Sequence, residues 1–156
     1  GSGVFRVRLT LGRAGDVELS VGHLLPTAGA VRAVLSPRRI NSRDPWLRYK
    51  TTVRDLYEQE LARVQGMPSV FDANFLNERG EVCEGARSNV FVRMAPGELL
   101  LTPPLGCGLL PGVLRRQLLE SGEALERTLR ETDLRNATEL YLGNALRGLV
   151  RVLLED

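Results

Sequence analysis

The sequence is poor in cysteine, histidine and lysine, and each scarcity closes off a class of chemistry. Of 156 residues, two are cysteine and one is histidine. Cys83 and Cys107 form no CxxC pair, and His23 is far from both in sequence. That excludes a disulfide framework and leaves little from which to build a zinc site or a Cys–His nucleophile pair. No run of about 18 apolar residues occurs, so no segment reads as a membrane span. Neither sign of charge dominates: 21 Lys and Arg stand against 19 Asp and Glu, for a formal net charge of +2. The signs are interspersed, so no basic stripe for nucleic acid results. These scarcities describe a reduced, cytoplasmic protein with no metal and no nucleic-acid or membrane partner.

Lysine is the sharpest case. Of the 21 basic residues, 20 are arginine and one is Lys50. Arginine stays charged and is useless as an amine nucleophile, whereas lysine can lose its proton and form a Schiff base. A lysine retained against so strong a bias is either chance or chemistry that arginine cannot perform.

What is present is ordinary for one globular domain: 43% hydrophobic and 26% charged residues. At this length one core buries roughly two thirds of the unfolded surface, so no staple is needed. Gly1-Ser2-Gly3 reads as a cloning remnant, leaving residues 4–156 as a single domain. The chain starts without methionine on a strand-like segment and reads as a piece of a longer polypeptide.

Alternation predicts strands over residues 4–11 and 17–21 joined by a turn at Gly12-Arg13-Ala14-Gly15-Asp16, and a third over 31–35 followed by a loop from 37 to 45. Helical spacing of Val53, Leu56, Tyr57, Leu61 and Val64 predicts a helix over 52–64, with Thr51 or Thr52 as N-cap and Lys50 immediately before it. Strands are expected over 70–76, 81–83, 89–93 and 99–102, then a helix over 113–121 entered through Pro111-Gly112. A strand over 125–129, a helical turn over 131–137 and strands over 139–142 and 149–154 follow. The class is α+β, and short strands separated by Gly and Pro turns favour a sheet or barrel core.

Five segments carry a resemblance: Arg48-Tyr49-Lys50-Thr51-Thr52-Val53-Arg54; Glu84-Gly85-Ala86-Arg87-Ser88-Asn89 within the run from 76 to 91; Thr102-Pro103-Pro104; Gly108-Leu109-Leu110-Pro111-Gly112; and Gly143-Asn144-Ala145-Leu146-Arg147-Gly148. In order and spacing the chain from Arg48 to about Val152 resembles the class IV aminotransferases, a pyridoxal-phosphate family that includes branched-chain and D-amino-acid aminotransferases and 4-amino-4-deoxychorismate lyase. The resemblance implies the strand-rich, barrel-like C-terminal cofactor domain of the D-amino-acid aminotransferase-like fold, flanked by helices. It implies Lys50 as the Schiff-base lysine and Glu84 as the carboxylate partner of the pyridinium nitrogen. The phosphate is expected on the helix start at Gly112, Val113 and Leu114, and on Asn144 and Ala145. Relatives often carry Thr where this chain has Leu114 and Asn144. Arg87, Arg115 and Arg147 are given no catalytic role.

Two departures bear on function. Family enzymes carry a smaller N-terminal domain that completes the pocket and form homodimers, whereas only about 45 residues precede Lys50 here, and these read as strands joining the cofactor domain. Branched-chain enzymes typically have Tyr five residues after the lysine, where this chain has Asp55; Arg54 and Asn144-Ala145-Leu146 are closer to the lyase. The sequence therefore favours the lyase, alone or fused to an aminodeoxychorismate synthase, over a branched-chain or D-amino-acid aminotransferase. A non-catalytic domain is the third reading.

Overall fold

The structure is a computed structural model that describes residues 3–27, 29 and 31–155; Gly1 and Ser2 of the suspected remnant lie outside the described residues. Its first two strands, β1 (Phe5–Leu11) and β2 (Val17–His23), pair antiparallel as a sheet of their own. They do not join the main sheet. Their alternation is regular, but Leu9 and Leu19, paired across the hairpin, stay about 62% and 63% exposed. Arg6 and Arg8 lie on the opposite face of β1, because successive side chains alternate.

The main sheet has eight strands: β3 (Val31–Ile40), β4 (Val70–Asn77), β5 (Val82–Gly85), β6 (Asn89–Arg93), β7 (Leu100–Thr102), β8 (Ala124–Glu126), β9 (Glu139–Asn144) and β10 (Gly148–Leu154). Six of them, in the order β5-β4-β3-β10-β9-β6, close into a barrel because β5 also pairs with β6. The expected barrel is present. Its closure is one residue pair, Glu84 with Asn89, so the Glu84–Asn89 motif is the turn that seals the ring.

Val82, Val90, Val92, Leu140, Leu142 and Val152 are buried in the largest core cluster, which Leu134 of α3 (Glu131–Asn136) joins. The helix α1 (Asp55–Val64) connects β3 to the parallel strand β4 and packs Leu56, Tyr57 and Leu61 against Phe75, Cys83 and Ala86. The helix α2 (Val113–Glu120) covers Phe91 and Leu100 through Leu118.

Two boundaries differ from the sequence reading for identifiable reasons. The third strand continues through Pro37 to Ile40, where a loop is expected; the register with β4 breaks between Leu35 and Arg39, so the proline sits where its missing N–H costs no ladder bond. The first helix begins at Asp55 rather than 52. Its N-cap is Arg54, without a side-chain cap, while Thr51 Oγ1 accepts from the Val53 amide in a local turn and Val53 points to solvent. Lys50 thus lies in the connection between a 3-10 turn (Pro45–Arg48) and α1.

Candidate active site

The Glu84–Asn89 turn is assembled from the strand behind it. Asp72 of β4, fully buried, accepts from the Ser88 hydroxyl at 2.6 Å and the Arg87 amide at 3.1 Å. Burial pushes the Asp72 carboxyl up, against these hydrogen bonds. A side chain at Gly85 would overlap both Asp72 and Ser88, so the motif's glycine is required by contact. Asn89 points the other way, donating to the Leu110 carbonyl at 3.0 Å. A Cβ on Gly112 would overlap the Asn89 side-chain oxygen. The Leu110-Pro111-Gly112 approach to α2 is therefore locked onto the barrel seam.

Glu84 sits at the centre of this arrangement, 7% exposed. Its Oε1 accepts from the Tyr57 hydroxyl at 2.7 Å and its Oε2 from the Leu110 amide at 3.0 Å. Burial pushes its carboxyl up to about 7, opposed by those two donors and by the charges of Lys50 and Arg54. Lys50 lines the same cavity. Partial burial lowers its ammonium below the ordinary lysine value, Arg54 and more weakly Arg8 lower it further, and Glu84 opposes them.

The cavity has a volume of about 650 Å³, within the range of small-molecule and cofactor sites. Six expected site residues line it: Lys50, Glu84, Gly112, Val113, Asn144 and Ala145. Leu114 does not; its side chain packs against Gly143. The Gly112 amide is already taken by the Leu110 carbonyl. At the helix start the amides of Val113, Leu114 and Arg115 lack an intrahelical acceptor by position. The side chain of Asn144 is likewise engaged, accepting from the Leu146 and Arg147 amides and donating to the Arg87 carbonyl. It shapes its loop, and the adjacent Ala145 lines the cavity.

The three arginines left without a role make structural contacts, and Arg87 also lines the cavity. Arg87 donates to the Phe71 carbonyl and lies over the Phe71 ring. Arg115, buried, holds Glu126 and the Pro103 carbonyl, and Arg147 ties the barrel to Leu25 and Thr27. Sequence reasoning missed Asp72 and Tyr57. Asp72 carries a usable signal, an acid between the apolar residues Phe71 and Ala73 of a strand, which has to be partnered if buried.

An amine of lowered basicity, a buried carboxylate and unpaired helix-start amides around one cavity match the donor set that pyridoxal phosphate needs: an amine for its aldehyde, a carboxylate for its ring nitrogen, N–H groups for its phosphate. A family model for amino-transferase class IV matches residues 1–154. The chain belongs to the class IV aminotransferase family. Enzymes of this family depend on pyridoxal phosphate. Among curated relatives, a Thermotoga maritima protein provisionally assigned as a branched-chain-amino-acid aminotransferase is 28% identical over 88% of this chain and 56% of its own length. A Schizosaccharomyces pombe protein provisionally assigned as an aminodeoxychorismate lyase is 30% identical, over 96% and 66%. The chain thus spans between half and two thirds of the curated relatives it matches. A crystal structure of a provisionally assigned amino-acid aminotransferase from Mesorhizobium loti superposes with a TM-score of 0.89 at 39% identity, covering 97% of this chain and 73% of that one. A hypothetical aminotransferase from Mycobacterium tuberculosis in its pyridoxal-phosphate-bound form shares the fold, with a TM-score of 0.79 at 24% identity over 97% of this chain and 60% of that one. No described helix is long and apolar enough to cross a membrane.

Proposed function

We propose that this class IV chain is the cofactor-binding part of a lyase that converts 4-amino-4-deoxychorismate to 4-aminobenzoate and pyruvate. The observation that carries the cofactor-binding part of this reading is the meeting of Lys50 and Glu84 in one cavity beneath the start of α2. When bound, pyridoxal phosphate supplies an aldehyde that condenses with amines and a protonated ring that accepts the electron pair left at the attached carbon. Lys50 would hold the cofactor through its amine. Displaced by the substrate amine, it would then act as general base on the carbon bearing that nitrogen. Glu84 would keep a proton on the ring nitrogen, and the amides of Val113, Leu114 and Ala145 would bind the phosphate, with Gly112 seating the helix start against Asn89 and Asn144 shaping the loop. Loss of the enolpyruvyl group as pyruvate aromatises the substrate ring and makes the elimination downhill. The whole protein would work as a cytoplasmic homodimer.

Support for the lyase over its alternative comes from Arg54, Asp55 and the Asn144-Ala145-Leu146 run, and from the likeness to the S. pombe protein. An aminotransferase is the second reading, favoured by the likeness to the M. loti and T. maritima proteins; the same lysine and glutamate would serve it. Product analysis of the full-length protein separates the two. The lyase forms 4-aminobenzoate and pyruvate from aminodeoxychorismate without an amino acceptor. Amino exchange between branched-chain amino acids and 2-oxoglutarate, with no 4-aminobenzoate, would establish the aminotransferase.

A further inference from the structure

Tyr57 has no part in the chemistry above, yet its hydroxyl is committed to the cavity's only buried acid among the described residues. Its ring is fixed on two sides: it meets Phe75 edge-on at 5.2 Å between centroids, and the Arg54 guanidinium lies 5.2 Å from its centroid. Arg54 is held in turn by the Ala86 carbonyl and by Glu58. A phenylalanine would pack there equally well. The hydroxyl is what packing does not explain, and it donates at 2.7 Å to Glu84 Oε1. With Oε2 held by the Leu110 amide, each carboxylate oxygen keeps one lone pair, and the group cannot rotate without breaking a hydrogen bond.

We propose that Tyr57 is a positioning residue for Glu84, fixing one carboxylate oxygen through its hydroxyl so that the acid stays aimed into the cavity; this rests on the reading of Glu84 as the ring-nitrogen partner. A ring nitrogen can keep its proton only beside an ionised carboxylate. Glu84 is buried, and burial favours its neutral form. The charged and titratable groups facing it are Lys50 and Arg54 from the segment before α1, Tyr57 from α1, and its neighbour Cys83 in β5. Among these Tyr57 alone donates a hydrogen bond to it. Burial and Glu84 itself push the Tyr57 hydroxyl far above its ordinary value, so it keeps its proton and remains a donor.

The test reads Glu84 directly in the cofactor-free chain. Its side-chain carboxyl, carbon-13 labelled and assigned by loss of the signal in Glu84→Gln, is titrated by NMR. In Tyr57→Phe its midpoint rises by about one pH unit, the scale of one lost hydrogen bond to a charged group. With 2,3-difluorotyrosine at position 57, a stronger donor of nearly the same shape, the midpoint falls below that of the native chain; this arm decides the matter if Tyr57→Phe fails to fold. In the cofactor-loaded full-length protein, Tyr57→Phe lowers kcat about tenfold with KM little changed. An unmoved Glu84 midpoint in the folded variants, with pyridoxal phosphate still captured at Lys50, overturns the inference and leaves the functional reading standing. The expected movement of Glu84 without capture at Lys50 keeps the contact and overturns the functional reading.

Discussion

At Lys50 four influences, burial, Arg54, Glu84 and more weakly Arg8, act on one amine with different signs, which makes its reactivity tunable in either direction. Burial and the Arg54 charge hold the ammonium below its usual range, and Glu84 pulls it back up. Only the neutral amine attacks an aldehyde, so the rate of cofactor capture rises as pH passes the Lys50 value. Replacing Glu84 with Gln removes the opposing charge and moves the midpoint of capture to lower pH; Arg54→Gln moves it to higher pH, each by up to about one unit. Rates of capture, trapped by borohydride across a pH series, check this, and shifts of the same sign in both variants would contradict it. Lys50 was legible in the sequence because lysine is otherwise absent, and Glu84 because its neighbours form a spaced motif. Asp72 and Tyr57 were not, because they act by holding other residues, and such a role shows only when the chain is folded. Gly112 and Asn144 were legible as site positions, but how they contribute was not: the amide of one and the side chain of the other are already used within the protein.

At the scale of elements, the succession and spacing of strands along the chain were largely readable from alternation and from Gly and Pro turns, while boundaries depended on partners. Pro37 stops no strand because it falls where the ladder is already broken, and α1 starts late because Thr51 satisfies a turn rather than a helix. The β1–β2 hairpin shows the limit of alternation as a signal. Its pattern is that of a half-buried sheet, yet none of its residues belongs to a core cluster. Because Leu9 and Leu19 already face water, the double substitution Leu9→Thr with Leu19→Thr changes the unfolding free energy by less than about 0.5 kcal/mol. Phe91→Ala, by contrast, removes a fully buried ring beneath α2 and costs about 3–5 kcal/mol. Denaturant unfolding of both variants checks the contrast; a large loss in the hairpin variant would mean that this face is covered.

At the scale of the molecule, closure of the barrel and assembly of the site are one event. The Glu84–Asn89 pair that joins β5 to β6 also presents the acid, seats Asn89 against Gly112, and brings the start of α2 to the cavity that holds Lys50. The sequence showed these segments only as separate motifs, because nothing in spacing reveals that strand β6 borders both β5 and β9. The central claim is that this assembled cavity takes pyridoxal phosphate on Lys50. Incubation of the chain with pyridoxal phosphate, reduction with borohydride and peptide mapping test it most directly. One label per chain on the peptide containing Lys50, lost in Lys50→Ala, is the predicted result. Labelling confined to the N-terminal amine, or unchanged in Lys50→Ala, would contradict it.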